Sequence, residues 1–260
     1  MGRTVETVTV RRCDNILQQT EPGQLAEALT GRTIESVGRR GKNLILRLSG
    51  GPALLVNLGM TGQLYTLPES EEPLEHTHVI FELSGGVRLV YRDMRRFGHL
   101  ELVCDGDLDA CFSLRKVGVD ARSRSFTARR LGELLAGRTA LLKSALLNQS
   151  LVAGLGNIYV CEAMHRARIH PEARCSELTD AQIKSLHRAI ANVLDEAIKA
   201  EGTTISDYVT GAGVPGSFQR RLRVYGREGL TCRRRGCAGV VRRIVQSKRS
   251  TFYCPSCQGG

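Results

Sequence analysis

The apolar positions of the first 112 residues fall in short β-rich runs: Thr4–Val10, Thr33–Val37, Leu44–Leu48, Ala53–Leu58, Val79–Leu83, Val87–Tyr91 and Leu100–Val103. Gly-rich breaks, Ser49-Gly50-Gly51 and Ser84-Gly85-Gly86, separate them as hairpin turns would. One amphipathic helix, around Gly23–Leu29, interrupts the series. Strands at this spacing predict a β-sandwich or barrel. After a polar, hinge-like stretch, Lys116–Ser125, the pattern becomes helical over Phe126–Ala136, Arg138–Leu147, Gly156–Ala167, Thr179–Glu201 and Thr203–Val209. Thr179 and Gln182 form a capping-box pattern at the start of the longest of these. Gly211–Phe218 reads as a flexible loop, and from Gln219 onward the chain is basic, cysteine-bearing and strand-like. The predicted organisation is α+β: a β domain over residues 1–116, a helical domain over 117–219 and a small tail over 220–260.

Composition narrows the class. The 260 residues are 42% hydrophobic, enough for a proper core, and carry 37 Lys+Arg against 26 Asp+Glu, a net charge of +11. No apolar run approaches the roughly 18 to 20 residues of a membrane helix, and no signal-peptide pattern opens the chain. Membrane, collagenous and disordered classes are excluded. The positive excess favours a polyanionic partner, with a solvated basic surface as the plain alternative.

Nine cysteines, an odd number, occur without a secretory signal, and four lie in the last 29 residues. This argues for a reducing, cytoplasmic compartment rather than a secreted disulfide scaffold. Cys232-x₄-Cys237, a spacer of sixteen residues and Cys254-x₂-Cys257 match a Cys₄ zinc ribbon holding one structural Zn²⁺. Four thiolates close a tetrahedral sphere, so such a site is structural and not hydrolytic. The other cysteines, Cys13, Cys104, Cys111, Cys161 and Cys175, are expected to be packing residues. Between Arg220 and Arg249 lie eleven basic residues and one acid, Glu228, so the hairpin suits phosphate contact.

Three further segments complete a pattern. Gly154-Leu-Gly-Asn-Ile-Tyr159, Glu162 and Ile169-His-Pro171 resemble the helix–two-turn–helix motif of the formamidopyrimidine-DNA glycosylase family. Asp93-Met-Arg-Arg-Phe-Gly98 resembles its void-filling loop, and Leu58-Gly-Met-Thr-Gly62 resembles a second loop of that family. The tail from Arg249 to Cys257 is similar to its terminal zinc finger. Phe97, the stretch from Gly202 to Gly216 and Tyr225-Gly-Arg favour the oxidised-purine branch over the endonuclease VIII branch.

The resemblance implies an N-terminal β-sandwich, a helix–two-turn–helix domain and a zinc finger, with damaged double-stranded DNA bound in the cleft between by a monomer. It implies base-excision repair: release of 8-oxoguanine and formamidopyrimidines, then cleavage of the abasic site by β,δ-elimination. Lys42 would be a proton donor or phosphate contact beside the lesion, Lys143 a lysine near the active site, and Arg249 a phosphate clamp. Asn157, at a predicted helix entry, would bind a phosphate or act as an N-cap; His76 would also touch DNA. Met60 and Phe97 would wedge into the void left by an extruded base while Arg95 pairs with the widowed cytosine. Gly213, Pro215, Gly216 and Phe218 would lie in the loop that closes over the lesion.

The family's opening supplies a proline amine that attacks C1′ and a neighbouring Glu that serves as acid and base. This chain opens Met1-Gly2-Arg3-Thr4-Val5-Glu6-Thr7, and its Val5-Glu6-Thr7 matches a later strand rather than that opening. The expectation is an N-terminally truncated member with no nucleophile to assign and part of its sandwich's apolar face exposed. Asn57 and Asn148 stand where the family usually has His and Asp, keeping hydrogen-bonding capacity without a titratable group. A non-catalytic binder of damaged DNA is the alternative reading, and a general zinc-ribbon binder explains less.

Overall fold

Two antiparallel four-stranded sheets form the N-terminal part of the computed structural model, which describes residues 1–104, 107–204 and 209–259. In chain order the elements are β1 (Val5–Val10), α1 (Pro22–Leu29), β2 (Ile34–Arg40), β3 (Asn43–Leu48), β4 (Ala53–Asn57), β5 (Gly62–Pro68), β6 (Thr77–Leu83), β7 (Val87–Asp93) and β8 (His99–Val103). One sheet runs β1-β6-β7-β5 and the other β2-β3-β4-β8. Their inner faces share one core: Val5, Phe81 and Tyr91 from the first sheet meet Leu46, Leu54 and Leu100 from the second. Leu25 and Leu29 of α1 join the same core. This is the predicted sandwich, and Val5-Glu6-Thr7 lies within β1, paired with β6.

Strand β5 was not among the predicted runs. Its sequence, Gly-Gln-Leu-Tyr-Thr-Leu-Pro, starts inside a loop motif and ends at proline, yet it pairs along its whole length with β7. Beside it the sandwich keeps an open apolar hollow of about 510 Å³, lined by Met1, Ile34, Val37, Leu46, Leu64 and Leu89 among others.

The second unit comprises Val117–Ala200 and Phe218–Gly260, while Glu201–Ser217 belongs with Met1–Lys116. It contains β9 (Val119–Asp120), α2 (Ala128–Leu135), α3 (Leu142–Leu147), β10 (Val152–Ala153), α4 (Asn157–Ala167), α5 (Asp180–Lys199), β11 (Arg242–Gln246) and β12 (Arg249–Tyr253). Leu131, Leu142, Leu146, Val160, Met164 and Ile190 pack into its core. The Thr179–Gln182 capping box opens α5, with both reciprocal bonds formed. Arg166 of α4 grips Glu196 of α5 with two bonds of 2.6 and 2.9 Å, which holds the Glu196 carboxyl below its ordinary range.

The helix predicted over Arg138–Leu147 is shorter than its pattern. Gly137 takes a φ of 68°, ending the preceding helix, and Leu141 forms a β-bridge with Arg174, so α3 starts only at Leu142. Of the helix predicted over Thr203–Val209, residues 205–208 lie outside the described residues. Cys111, Cys161 and Cys175 are buried as expected, but Cys13 and Cys104 are exposed and pack against nothing that would hide a thiol.

Candidate nucleic-acid interface

In the first unit, two loops are held together by glycine and by one buried carboxylate. A side chain at Gly59 would strike the backbone of Phe97 and Gly98 within 2.8 Å, and one at Gly98 would strike Tyr91 and the carbonyl of Asn57. Only glycine allows the loops after β4 and β7 to touch backbone to backbone. Asp93, fully buried, accepts from Thr61 Oγ1 and, at 2.8 Å, from the Gly98 N–H; a longer bond of 3.3 Å reaches the Arg95 N–H. Its own carbonyl receives an N–H from His78 at 2.8 Å. Burial, with Asp93 nearby, raises the Tyr91 phenol, so it stays a neutral donor to Asp93 at 3.4 Å.

The fixed backbone leaves Met60, Met94, Arg95 and Phe97 outside. Met60 is 67% exposed and Phe97 56% exposed, although both are large and apolar, and the exposed Arg95 guanidinium sits 4.6 Å from the centroid of the Phe97 ring. An aromatic ring, a thioether and a planar cation presented from a rigid base can enter a base stack and pair with what remains.

Lys42 occupies the tip of the two-residue turn between β2 and β3, where Arg40 pairs with Asn43 and Gly41 takes a φ of 62°. Asn57 braces that hairpin, donating to Asn43 Oδ1 at 2.8 Å while accepting the Gly59 N–H at 2.9 Å. One asparagine therefore ties the Lys42 turn to the Met60 loop. His76 is exposed and in the left-handed region at φ 64°, and its carbonyl accepts the Asp93 N–H. Gly213 also has positive φ in a tight turn closed by Thr210 and Val214, with Pro215 exposed beside it. Gly216 donates to Thr204 Oγ1 and lies so close to the Gly202 carbonyl that no side chain fits. Phe218 departs from the expected lesion loop: it is fully buried in the core of the second unit, edge-on to Tyr159. The described loop therefore ends at Ser217.

In the second unit, α3, α4 and the terminal hairpin converge on one carbonyl. Asn157 follows the N-cap Gly156 as the first residue of α4, so it is not the N-cap itself. Its Nδ2 donates to Ser250 O at 2.9 Å, and Lys143 Nζ donates to the same oxygen at 3.2 Å and to Thr251 Oγ1 at 2.5 Å. Lys143 is only 1% exposed; desolvation first, then Arg249, lowers its pKa, with Cys161 acting against them. Its ammonium is committed to the hairpin. The hairpin turn itself, Ser247 and Lys248, has both φ values positive, the geometry of a two-residue turn matched to strand twist, and sends Arg249 out exposed.

Glu162, fully buried, gathers the approach to the finger. Its carboxylate accepts N–H groups of Arg223, Val224 and Tyr225 at 2.9 to 3.0 Å. Several of the clustered arginines likewise serve the fold. Arg233 donates to the carbonyls of Arg220 and Leu222, Arg234 to those of His165 and Arg166, and Arg227 to that of Thr231. Arg235, Arg242, Lys248 and Arg249 remain exposed.

Cys232, Cys237, Cys254 and Cys257 bring their sulfurs within 4.8 Å of one another. The Cys232–Cys257 and Cys237–Cys254 separations are 3.8 and 3.7 Å. A tetrahedron with metal–sulfur bonds of about 2.3 Å has edges of about 3.8 Å, so the four thiols fit one metal ion. Sequence reading did not foresee Ser250, His165 or the structural use of Lys143; their partners lie 67 to 108 residues away along the chain, and no local pattern announces such pairs.

Residues 1–100 match the formamidopyrimidine-DNA glycosylase N-terminal domain, and residues 117–209 match the H2TH domain of that enzyme. Among curated relatives, a formamidopyrimidine-DNA glycosylase of Methylobacterium sp. (strain 4-46) is 43% identical over 99% of this chain and 93% of its own. That of Pelotomaculum thermopropionicum is 42% identical over 94% and 87%. Among solved structures, a mutant Lactococcus lactis FPG in complex with Fapy-dG-containing DNA superposes with a TM-score of 0.92 at 33% identity, covering 100% of this chain and 94% of that one. The Lactococcus lactis complex with abasic-site DNA gives 0.91 at the same identity, covering 100% and 93%.

Proposed function

Because the chain belongs to the formamidopyrimidine-DNA glycosylase family, we propose that it releases oxidised purines, 8-oxoguanine and formamidopyrimidines, from damaged duplex DNA and then cuts the strand at the abasic site. The observation that carries this reading is the pair of glycine-locked loops presenting Met60, Arg95 and Phe97 to solvent. An enzyme that works on one base must take it out of the stack and fill the void, and these side chains supply a wedge and a hydrogen-bonding fork. Relatives solved with Fapy-dG and abasic-site DNA support the same substrate class.

In this reading Lys42, on its braced turn, meets a phosphate beside the lesion or gives a proton, and Arg249 clamps another phosphate. The N–H groups opening α4 bind a phosphate, with Asn157 fixing them to the hairpin. Gly213, Pro215 and Gly216 belong to the segment that closes on the extruded base, and His76 adds a DNA contact. An amine attacks C1′ and the base departs with the electrons of the glycosidic bond, taking up a proton; the C1′–O4′ bond then opens, with O4′ protonated, and the resulting Schiff base acidifies the C2′ proton. Its loss expels the 3′ phosphate, and a second elimination expels the 5′ phosphate. The protein acts as a monomer in the cytoplasm with the nucleoid. Zinc is the metal proposed for the four cysteines; it stiffens the finger and takes no part in the chemistry.

Borohydride trapping on duplexes carrying 8-oxoguanine or an abasic site opposite cytosine tests the reading. The expected result is a covalent protein–DNA band, and, without borohydride, a gap bearing phosphate on both ends. Folded protein that binds the lesion duplex but never traps would leave a damage-binding protein in its place.

A further inference from the structure

The structure assigns to His165 the role of a hydrogen-bond donor to the metal thiolates, making the last turn of α4 part of the metal centre's outer shell. The inference rests on the reading of the four cysteines as a metal site.

His165 is fully buried, with Nε2 3.3 Å from Cys232 Sγ and 3.6 Å from Cys257 Sγ. Its other ring nitrogen, Nδ1, is also buried and has no hydrogen-bond partner. A neutral imidazole carries one N–H and one lone pair. A buried N–H left without an acceptor forfeits the stronger interaction, whereas a bare lone pair costs less. The proton therefore belongs on Nε2, aimed at the sulfurs, with the lone pair at Nδ1. Four cysteines already complete a tetrahedron, so the imidazole serves them as donor and not as a fifth ligand.

The same turn is locked to the metal knuckle a second time. Arg234 donates through Nη2 to the carbonyls of His165 and Arg166, at 2.5 and 3.1 Å. Its own backbone N–H points at Cys232 Sγ, 3.5 Å away. The cation at the helix C-terminus adds a second donor to the His165 carbonyl, which also accepts the Arg168 N–H at 3.2 Å, and supplies one to the Arg166 carbonyl. Through these contacts the C-terminus of α4 is fastened to the thiolates, while Asn157 at its N-terminus is fastened to Ser250. An N–H···S bond draws electron density from the thiolate, restrains its direction and lowers its affinity for a competing proton.

The test uses the full chain with Co²⁺ or ¹¹³Cd²⁺ in place of the native metal, comparing wild type with H165L, which has no donor, and H165Q, which restores an amide N–H. Expected for H165L is one bound metal per chain, release to a chelator about 10- to 100-fold faster, and a thiolate-to-cobalt band moved to lower energy. H165Q should recover part of both, and the wild-type cadmium form should show spin coupling between the metal and the His165 Nε2–H. Release and spectrum unchanged in H165L would overturn the assignment. A cobalt spectrum of three thiolates and one nitrogen in the wild type would overturn it differently, by making His165 a ligand. Wild-type chain that binds no metal at all would instead remove the metal reading beneath it. Should H165L not fold, H165Q and the cadmium coupling decide alone.

Discussion

Arg95 and Phe97, two residues apart, lie guanidinium over ring at 4.6 Å, and both are exposed on a loop whose backbone is fixed by Asp93 and Gly98. Solvated surface gains little from such a pair, about 0.5 to 1 kcal/mol, so its placement makes sense as preparation for a partner. Arg95→Ala should leave the melting temperature unchanged and reduce the preference for cytosine opposite the lesion about tenfold, since one bidentate base contact discriminates by about 1 to 3 kcal/mol. Phe97→Ala should lower affinity for lesion duplexes, and the double variant should fall short of the summed losses because the ring supports the guanidinium. Equal losses on all opposite bases would refute the readout role.

Lys143→Met should weaken the joint between α3 and the finger. The ammonium is buried and bonded to Ser250 and Thr251, and its removal is expected to cost about 1 to 3 kcal/mol. The sign of its pH dependence follows from a folded-state pKa below the unfolded 10.5. In that window the unfolded chain binds the extra proton, so wild-type stability should gain as pH rises toward 10.5, relative to the variant. Urea midpoints of the two proteins between pH 8 and 10.5 check this; a constant gap would count against a depressed lysine.

Glu162→Gln replaces a carboxylate that receives three consecutive backbone N–H groups. The amide can turn only one oxygen toward them, and its own N–H₂ meets donors. A loss of about 3 kcal/mol is expected, read as a shifted urea midpoint with metal content intact. An unchanged midpoint would mean that the bonds contribute nothing net.

Cys254→Ala opens the thiolate tetrahedron at its most buried corner. Metal should be lost and affinity for every duplex, damaged or not, should drop at least tenfold, because structural metal binding is folding energy for a finger of this size. Chelation of the wild type should reproduce the effect, and metal readdition should reverse it. Full metal content in the purified variant would contradict the ligand set.

Much of the architecture could be read along the chain because it is written in short-range terms. The strand runs, the Thr179–Gln182 cap and the two cysteine pairs all declare themselves within a few residues. What escaped was decided by distant partners. Nothing near Lys143 marks it as an anchor for Thr251, and nothing near Phe218 distinguishes a loop residue from a core residue that fills space against Tyr159. The helix entry offered Asn157 a phosphate or the N-cap position; the adjacent glycine takes the extended cap conformation and leaves the amide to reach Ser250. The arginine cluster misleads in the same way: a count of charges cannot separate Arg234, which closes a helix, from Arg249, which is exposed.

Residues 201–217 belong to the first unit, though the chain on either side belongs to the second. The excursion leaves from Ala200 and returns at Phe218, both buried in one core. With its ends moored together, the segment behaves as an insertion whose length and sequence can drift at little thermodynamic cost, about 0.6 kcal/mol for each doubling in length. The helices that carry the segment can therefore stay as they are while the stretch between them is rewritten.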